Sequence, residues 1–438
     1  MEKLRIDPVG PFEGRIRPPG SKSLTNRALV CAALADGVSV LRNALFSEDT
    51  EVMMDCLHKL GIHLDPAPQS RVIRVTGTSG KIPADSANLY TGNSGTTMRF
   101  LTAMVALGKG RYRLDGNPRM RERPIGDLLA ALRNLGVDAF SELGNGCPPV
   151  WVCPTGKFGG ETEVAGDISS QFLSGLLMAM PCAPSPVCVR VQGPLVSVPY
   201  VEMTLAVMEA FGIQVARQDL SVFSTPGNQR YKGREYWIEP DASAASYFFG
   251  AAAVTGGTVI VEGLGKHSLQ GDVAFCQCLE QMGCQVQWGD ESICLRGGRL
   301  RGIDVNMNAI SDTVPTAAVV ALFAEGPTTI RGVAHIRHKE TDRIAALSRE
   351  LRKLGAQVEE FEDGLRIQPG PLRAAEICTY DDHRMAMSFS LAALKVEGVI
   401  IENPGCTSKT YPEYFEDLVR LTGTRTHRFQ ESQEAGHG

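Results

Sequence analysis

Residues Ser21 to Ala44 read SKSLTNRALVCAALADGVSVLRNA. A lysine stands between two serines directly after Gly20, and Arg27 follows one helical turn later. Small and apolar residues come next, then Gly37, then the short run VSVL. That order predicts helix, turn and strand. A nucleotide-type phosphate loop is excluded: Ser21 separates Gly20 from Lys22, and the residue five before Gly20 is Arg15, not glycine. What remains is a helix start whose free N–H groups and dipole favour an anion. The plainer alternative is that Ser21 or Ser23 only caps the helix.

The same design recurs. Copies begin at Asn93 (NSGTTMRFLTAMVALGKGRYRLDG), Ser169 (SSQFLSGLLMAMPCAPSPVCVRVQG), Asp241 (DASAASYFFGAAAVTGGTVIVEGL), Ser311 (SDTVPTAAVVALFAEGPTTIRGV) and Asp381 (DDHRMAMSFSLAALKVEGVIIENP). The six starts lie 72, 76, 72, 70 and 70 residues apart. That period exceeds the 20–50 residues of solenoid repeats, so each copy reads as a small α/β unit. Between them lie TEVMMDCLHKLGIHLD, IGDLLAALRNLGVDAF, VEMTLAVMEAFGIQVA, DVAFCQCLEQMGCQVQ and RIAALSRELRKLGAQVEE. Each predicts an amphipathic helix, a glycine C-cap and a strand.

Helices of the first kind are apolar nearly all round and are expected to be buried. Their starts nevertheless carry the least ordinary polar groups of the chain: Lys22, Ser23 and Arg27; Asn93, Ser94 and Gly95; Ser169, Ser170 and Gln171; Asp241; Asp312; Asp382, His383 and Arg384. If the starts converge, they line a cavity rich in N–H groups and positive charge, suited to a multiply anionic ligand.

Composition sets the limits. The 438 residues are 43% hydrophobic and 21% charged, with a net charge of −5. That suits a globular protein of two or three domains and gives no general attraction to nucleic acid or anionic membrane. The opening MEKLRIDPVGPFEG lacks the apolar core of a signal peptide, and no apolar run approaches a bilayer span, so a cytoplasmic protein is expected. The twelve cysteines form no Cys-x-x-Cys and are expected to be free and buried. His335 and His338 lack a matching second pair, so neither metal nor cofactor is expected. The tail TRTHRFQESQEAGHG is polar and aperiodic, and residues 426–438 are expected to be disordered.

Seven motifs then appear in order: PGSKSLTNRAL, GNSGTTMRFL, RMRERPIGDLLAAL, GDISSQFLSGLLMA, HKETDRI, YDDHRMAMS and CTSKTYPEYF. Together they resemble the 5-enolpyruvylshikimate-3-phosphate (EPSP) synthase family, the 3-phosphoshikimate 1-carboxyvinyltransferases, over roughly Arg15 to Leu421. The resemblance implies an α/β fold of two globular domains, each of three βαβαββ units, in the inside-out barrel arrangement of enolpyruvyl transferases. It places residues 1–20 with 240–438 in one domain and 21–239 in the other, with the site in the cleft between them. The implied reaction moves the enolpyruvyl group of phosphoenolpyruvate to the 5-hydroxyl of shikimate 3-phosphate. A monomer without cofactor is implied, with the herbicide glyphosate as a candidate occupant of the phosphoenolpyruvate site.

The resemblance also implies residue roles. Shikimate 3-phosphate falls to Ser169, Ser170, Lys339, Ser197 and Tyr200 at its phosphate, and to Lys22, Ser23, Arg27, Gln171 and Asp312 at its ring and carboxylate. Phosphoenolpyruvate falls to Lys22, Asn93, Gly95, Arg123, Gln171, Arg343, Arg384 and Lys409. Asp312 would take the hydroxyl proton, Lys22 would act near the bridging oxygen, and Glu340 would handle the methylene and methyl protons. Read from residue types alone, Asp312 is equally an N-cap, Glu340 and Arg343 a surface ion pair three residues apart, and Asp382 a partner for Arg384. Two departures from the family pattern stand out. His335 replaces the Asn that many relatives carry before Lys-Glu-Thr-Asp, leaving one neutral donor for a shikimate contact. Phe100 follows Met-Arg where some relatives have Pro, behind the loop that bears Gly95 and Thr96.

Two rivals differ in chemistry. The sister family of UDP-N-acetylglucosamine enolpyruvyl transferases typically carries Lys-Asn at the first motif and a reactive loop cysteine. Here the first motif is Ser-Lys-Ser, and Arg119–Pro124 holds no cysteine. A non-catalytic polyanion binder would not need Asp312 and Glu340 beside the basic set.

Overall fold

The computed structural model describes residues 2–430. It holds twelve α-helices, numbered along the chain, in two alternating kinds. The first kind comprises α1 (Lys22–Leu34), α3 (Gly95–Met104), α5 (Ser170–Ala179), α7 (Ala242–Thr255), α9 (Val314–Val320) and α11 (His383–Ala393), each buried on almost every side. The second comprises α2 (Glu48–Lys59), α4 (Gly126–Asn134), α6 (Val198–Ala210), α8 (Phe275–Gln281), α10 (Arg343–Lys353) and α12 (Tyr414–Thr422). The expected glycine caps follow α2, α4, α6, α8 and α10, with Gly61, Gly136, Gly212, Gly283 and Gly355 all at positive φ.

Small residues let the inner helices approach closely. A Cβ on Gly175 of α5 would stand 2.9 Å from the Arg99 carbonyl of α3. One on Gly250 of α7 would meet Leu391 of α11 at 2.6 Å and Thr316 of α9 at 3.0 Å. Buried helices satisfy their own backbone groups, so the interior needs few polar partners except at the helix ends.

Six four-stranded sheets accompany the helices, and all share one topology. In one, Ser86–Tyr90 runs parallel to Arg111–Asp115, which pairs antiparallel with Val150–Cys153, itself antiparallel to Asp138–Ser141. With α3 and α4 between its strands, the unit is βαβαββ. The chain exchanges strands as it passes between the two sets of units. Glu13–Ile16 precedes α1 in sequence but pairs with Thr258–Glu262 after α7. Glu235–Trp237 precedes α7 but pairs with Val38–Arg42 after α1. A bridge between Gly20 and Pro240 ties the two passages together.

Two hydrophobic cores result. One draws on Leu4–Ile16 and Ala242–Leu421, the other on Leu24–Ile238. The expectation of disorder from residue 426 is corrected for Thr426–Gln430, which forms an edge strand paired with Glu2–Ile6 along its whole length. Its side chains are mostly exposed, so no hydrophobic period marked it, and backbone pairing alone defines it. Residues 431–438 lie outside the described residues. All twelve cysteines are free, but only seven are buried; Cys147, Cys153, Cys188, Cys294 and Cys378 are half-exposed. No helix among the described residues is long and apolar enough to cross a membrane.

Candidate functional site

The helix starts of both cores meet in one cleft. Capping comes first, because it is what frees the remaining groups. Ser21, Ser94, Ser169, Asp241 and Asp382 accept the backbone N–H of Leu24, Thr97, Gln171, Ala244 and Arg384 at 3.4, 3.4, 3.3, 2.8 and 2.9 Å. The capping reading of Ser21 is therefore correct, and Lys22 and Ser23 are left to do something else. Asp241 also accepts the Lys22 N–H at 3.0 Å, so one carboxylate joins the starts of α1 and α7 across the cores.

Asp312 is not an N-cap. A short 3-10 turn, Asn308–Thr313, leads into α9, whose first residue is preceded by Thr313 without a side-chain cap. The Asp312 carboxylate instead accepts Arg384 Nη2 at 2.8 Å and Arg343 Nη1 at 3.3 Å, with Lys339 Nζ 3.8 Å away. Burial alone would raise its pKa, but Arg384, Lys339 and Arg343 outweigh that and hold it well below the usual carboxylate range.

Glu340 and Arg343 do pair, at 2.8 Å, but the pair is buried and not at the surface. Arg343 is only 1% exposed and binds three carboxylates. Its Nε and Nη2 donate to Asp382 at 2.8 and 3.2 Å, besides Glu340 and Asp312. Four of its five N–H directions are thus used within the protein. Burial would pull its pKa down, yet Asp382, Glu340 and Asp312 raise it further. Glu340 is held well below the usual range by Arg343, Arg123 and Lys409 against the opposing effect of burial. Asp382 pairs with Arg343 and caps α11; from Arg384 it takes only the backbone N–H. The Arg384 side chain turns to Asp312 and to Tyr247 OH at 3.2 Å.

A second set of cations has no carboxylate in hydrogen-bond contact among the described residues. Arg123 donates to the carbonyl and side-chain oxygen of Asn93 at 3.0 and 3.2 Å. Arg99 donates to the carbonyls of Gly95 and Pro124 at 3.3 and 3.1 Å. The Nε of each is buried and unpartnered among the described residues. Arg27 stacks on Phe100 and Tyr200 and donates to Thr204 and to the Ser23 and Tyr200 carbonyls. Burial lowers the pKa of all three, Arg27 to about 10. Buried cations lacking a counter-charge are costly unless an anion joins them. Arg99 and Arg123 share a crevice with Ser169, Gln171, His335 and Lys339, and Ser170 begins α5 beside it.

Gly95 packs against these arginines. A Cβ there would stand 2.5 Å from Arg123 Nη2 and 2.6 Å from Arg99 Nη1. Phe100 lies under the Arg27 guanidinium, 5.2 Å from ring centroid to Cζ, while Thr96 is held by Asn26 at 2.8 Å.

Contacts bridge the cleft. Asp49 binds Lys409 Nζ at 2.5 Å and Lys22 Nζ at 3.3 Å, and Lys409 also donates to the Asn93 carbonyl at 3.1 Å. Arg119 reaches the carbonyls of Lys339 and Arg337 at 3.1 and 3.2 Å. Ser197, in the left-handed region at φ 54°, places its hydroxyl 3.3 Å from His335 Nε2 and 3.4 Å from Ser311. Burial, then Lys339, lowers His335 to about 4, so at neutral pH it is an uncharged ring. His383 is wholly buried and neutral; its Nδ1 lies 3.6 Å from Asp382, and neither ring nitrogen has a hydrogen-bond partner among the described residues. Tyr200 turns its hydroxyl to Asp312 and to Asp272, at 3.2 and 3.1 Å.

Three of these groups were not singled out in the sequence. Arg99 carried a signal, a lone charge inside an apolar helix. Asp49 and Asp272 carried none, because acidic residues near helix starts are ordinary. Counting side chains in the cleft, Lys22, Arg27, Arg99, Arg123, Lys339, Arg343, Arg384 and Lys409 stand against Asp49, Asp241, Asp312, Glu340 and Asp382. A local excess of three positive charges in an acidic chain suits small, multiply charged anions, and sets this chain in a class with such a cleft between two cores of repeated α/β units.

Known proteins narrow that class. The family description EPSP synthase (3-phosphoshikimate 1-carboxyvinyltransferase) matches residues 6–418. The 3-phosphoshikimate 1-carboxyvinyltransferase of Nostoc punctiforme is 52% identical over 423 residues, 96% of this chain and 99% of that protein. That of Shewanella loihica is 47% identical over 424 residues, 96% of this chain and 100% of the relative. The EPSP synthase structure from Acinetobacter baumannii superposes with TM-score 0.81 at 27% identity, covering 98% of this chain and 100% of that one. The enolpyruvyl transferase NikO from Streptomyces tendae shares the fold, with TM-score 0.79 at 19% identity over 98% of this chain and 99% of its own. The chain belongs to the EPSP synthase family, as its seven motifs indicated.

Proposed function

We propose that the chain transfers the enolpyruvyl group of phosphoenolpyruvate to the 5-hydroxyl of shikimate 3-phosphate, releasing phosphate, as a step toward chorismate and the aromatic amino acids. The observation that carries this reading is Asp312: a carboxylate kept ionised by Arg384, Lys339 and Arg343 in the same cleft as the unpaired Arg99 and Arg123. Asp312 is a counter-ion to these cations in the empty cleft, and it is also the ionised oxygen base that deprotonation of a substrate hydroxyl calls for.

The two cores support reading residues 1–20 and 240–438 as one domain and 21–239 as the other. Each contributes four of the cleft's cations, Lys22, Arg27, Arg99 and Arg123 from residues 21–239 and Lys339, Arg343, Arg384 and Lys409 from the other. Ser169, Ser170, Lys339 and Ser197 take the shikimate phosphate, with Tyr200 turned instead to Asp312; Lys22, Ser23, Arg27, Gln171 and His335 take the ring and its carboxylate. Lys22, Asn93, Gly95, Arg123, Gln171, Arg384 and Lys409 surround phosphoenolpyruvate. Arg343 is mostly occupied by its carboxylates, so its part is to hold Asp312 and Glu340 in place and lend one remaining N–H.

The proton account follows from the charges. In addition, the 5-hydroxyl oxygen bonds to the central carbon of phosphoenolpyruvate, its proton passes to Asp312, and the methylene carbon gains a proton. In elimination, the methyl group loses a proton, the carbon–oxygen bond to phosphate breaks, and the enol ether double bond returns. Glu340, ionised in the free protein, is ready as the base of elimination. To act as the acid of addition it must first gain a proton. Bound anions favour that step by drawing charge from Arg343, Arg123 and Lys409. Lys22, beside Asp49, offers its ammonium to the bridging oxygen as phosphate leaves.

Glyphosate is proposed to compete with phosphoenolpyruvate, and the protein to work as a cytoplasmic monomer. The decisive assay is phosphate release from phosphoenolpyruvate with shikimate 3-phosphate or UDP-N-acetylglucosamine as acceptor. Release only with the former, reduced about 10²–10⁴-fold in Asp312→Ala, is expected; release with the nucleotide sugar overturns the reading.

A further inference from the structure

Asp272 lies in the turn Gly271–Ala274 and is 4% exposed. Its Oδ2 accepts the Ser243 hydroxyl and lies 3.1 Å from Tyr200 OH. Its Oδ1 is buried with no partner among the described residues. On the far side, Tyr200 OH is 3.2 Å from Asp312 Oδ2. Three oxygens thus stand in a row with two contacts between them, and a phenol supplies one proton. Unless a carboxyl brings the second, two lone pairs face each other in a buried site.

The surroundings decide which carboxyl brings it. Asp312 touches Arg384, Arg343 and Lys339 and is stabilised as an anion. Asp272 forms no ion pair among the described residues. The charged and titratable groups facing it are Asp312 and Asp241, which oppose its ionisation, Arg384, which favours it more than Asp241 opposes it, and Tyr200. An ionised Asp272 would leave a bare carboxylate oxygen buried between like charges.

We propose that Asp272 is a positioning residue: a neutral carboxylic acid that donates its proton to the Tyr200 oxygen, so that the phenol proton points at Asp312 and fixes the orientation of that base. Its bearing on catalysis rests on the reading of Asp312 given above; its protonation does not. Burial, then Asp312, pushes Asp272 up to about 7, so the arrangement holds below neutrality and weakens above it. As Asp272 ionises, the phenol proton turns toward it and Asp312 loses its donor.

Two readouts on the full ligand-free chain test this. Infrared spectroscopy should show a carboxylic-acid C=O stretch at pH 6 that fades through neutrality, vanishes in Asp272→Asn and shifts in Tyr200→Phe, where its acceptor is gone. In turnover, Asp272→Ala should lose about tenfold in kcat/KM. Asp272→Asn, which still donates to the phenol, should recover most of that loss and lack the alkaline limb assigned to Asp272. No such band at pH 6, a band untouched by Tyr200→Phe, or an Asp272→Asn as poor as Asp272→Ala overturns the proposal. A wild-type protein that shows the band but turns over neither acceptor would sink the functional reading and leave the protonation standing.

Discussion

Asp382 is the group whose removal should show how far the site is also a structural knot. It is fully buried, accepts Arg343 Nε at 2.8 Å and Nη2 at 3.2 Å, and caps α11 through the Arg384 N–H at 2.9 Å. Two substitutions separate these tasks. Asp382→Asn keeps an oxygen for the cap and removes the charge; Asp382→Ala removes both. Breaking a buried ion pair costs about 3–5 kcal/mol. Arg343 keeps Glu340 at 2.8 Å and Asp312 at 3.3 Å, so the Asn variant belongs at the low end, about 3 kcal/mol. Loss of the cap adds about 1 kcal/mol in the Ala variant. Urea unfolding followed by circular dichroism reads both, and the loss should fall in the transition of the core that holds residues 242–421. Both variants should also lose turnover, because Arg343 then swings toward its remaining carboxylates. An Asn variant within about 0.5 kcal/mol of the parent, inside the range of a neutral surface change, would refute the argument. It would mean that Glu340 and Asp312 alone satisfy Arg343.

Other outcomes follow from the same geometry. His335 has its folded pKa depressed from 6.5 to about 4, so the unfolded chain binds the extra proton. Its stabilisation is full above pH 6.5 and is lost as pH falls toward 4, about 3 kcal/mol in all. His335→Asn should flatten the slope of stability against pH across that window, and an unchanged slope would contradict the assignment. Gly95→Ala would press on the ends of Arg123 and Arg99 and not on backbone. It should therefore raise KM for phosphoenolpyruvate about tenfold while leaving KM for shikimate 3-phosphate and the melting temperature nearly unchanged; a fall in melting temperature without a KM effect would show that the backbone had yielded instead. Asp312 and Glu340, both held low, contribute stability present above about pH 4 and lost as pH falls further. Asp312→Asn should reduce the acid-side loss measured by denaturation between about pH 2 and 4.

Much of this was legible because it is local. A polar start, an apolar run, a Gly turn and a β-branched segment are features of consecutive residues, and six such copies lie in the open. Glycine caps are also local, and all five expected ones are present. What sequence could not show is long-range exchange. Nothing in EGRI or EYW tells which sheet each strand joins, since a strand three or four residues long can pair wherever an edge is free. Thr426–Gln430 was missed for the same reason. Arg99 was passed over because an arginine on a buried helix looks like a misplaced surface residue until Phe172 is seen 5.7 Å beneath it.

The carboxylates mark the deeper limit of sequence reading. Motif residues identify cations well, because lysine and arginine at helix starts are unusual. They say less about how those cations are held before substrate arrives. Asp49 joins Lys22 to Lys409, Asp382 holds Arg343, and Asp312 spans Arg343 and Arg384. Without them, eight cations converging in a buried cleft would repel one another and destabilise both cores. With them, three positive charges remain for substrate, and the side chains are fixed in advance at the cost of carboxylates that compete with it. On the mechanism proposed above, Asp312 and Glu340 resolve that competition by being reactive themselves. Each is a counter-ion in the free protein and, on that mechanism, becomes a proton carrier once anionic substrates take over its cations. On that mechanism the charge that holds the empty cleft together is also the charge that reacts.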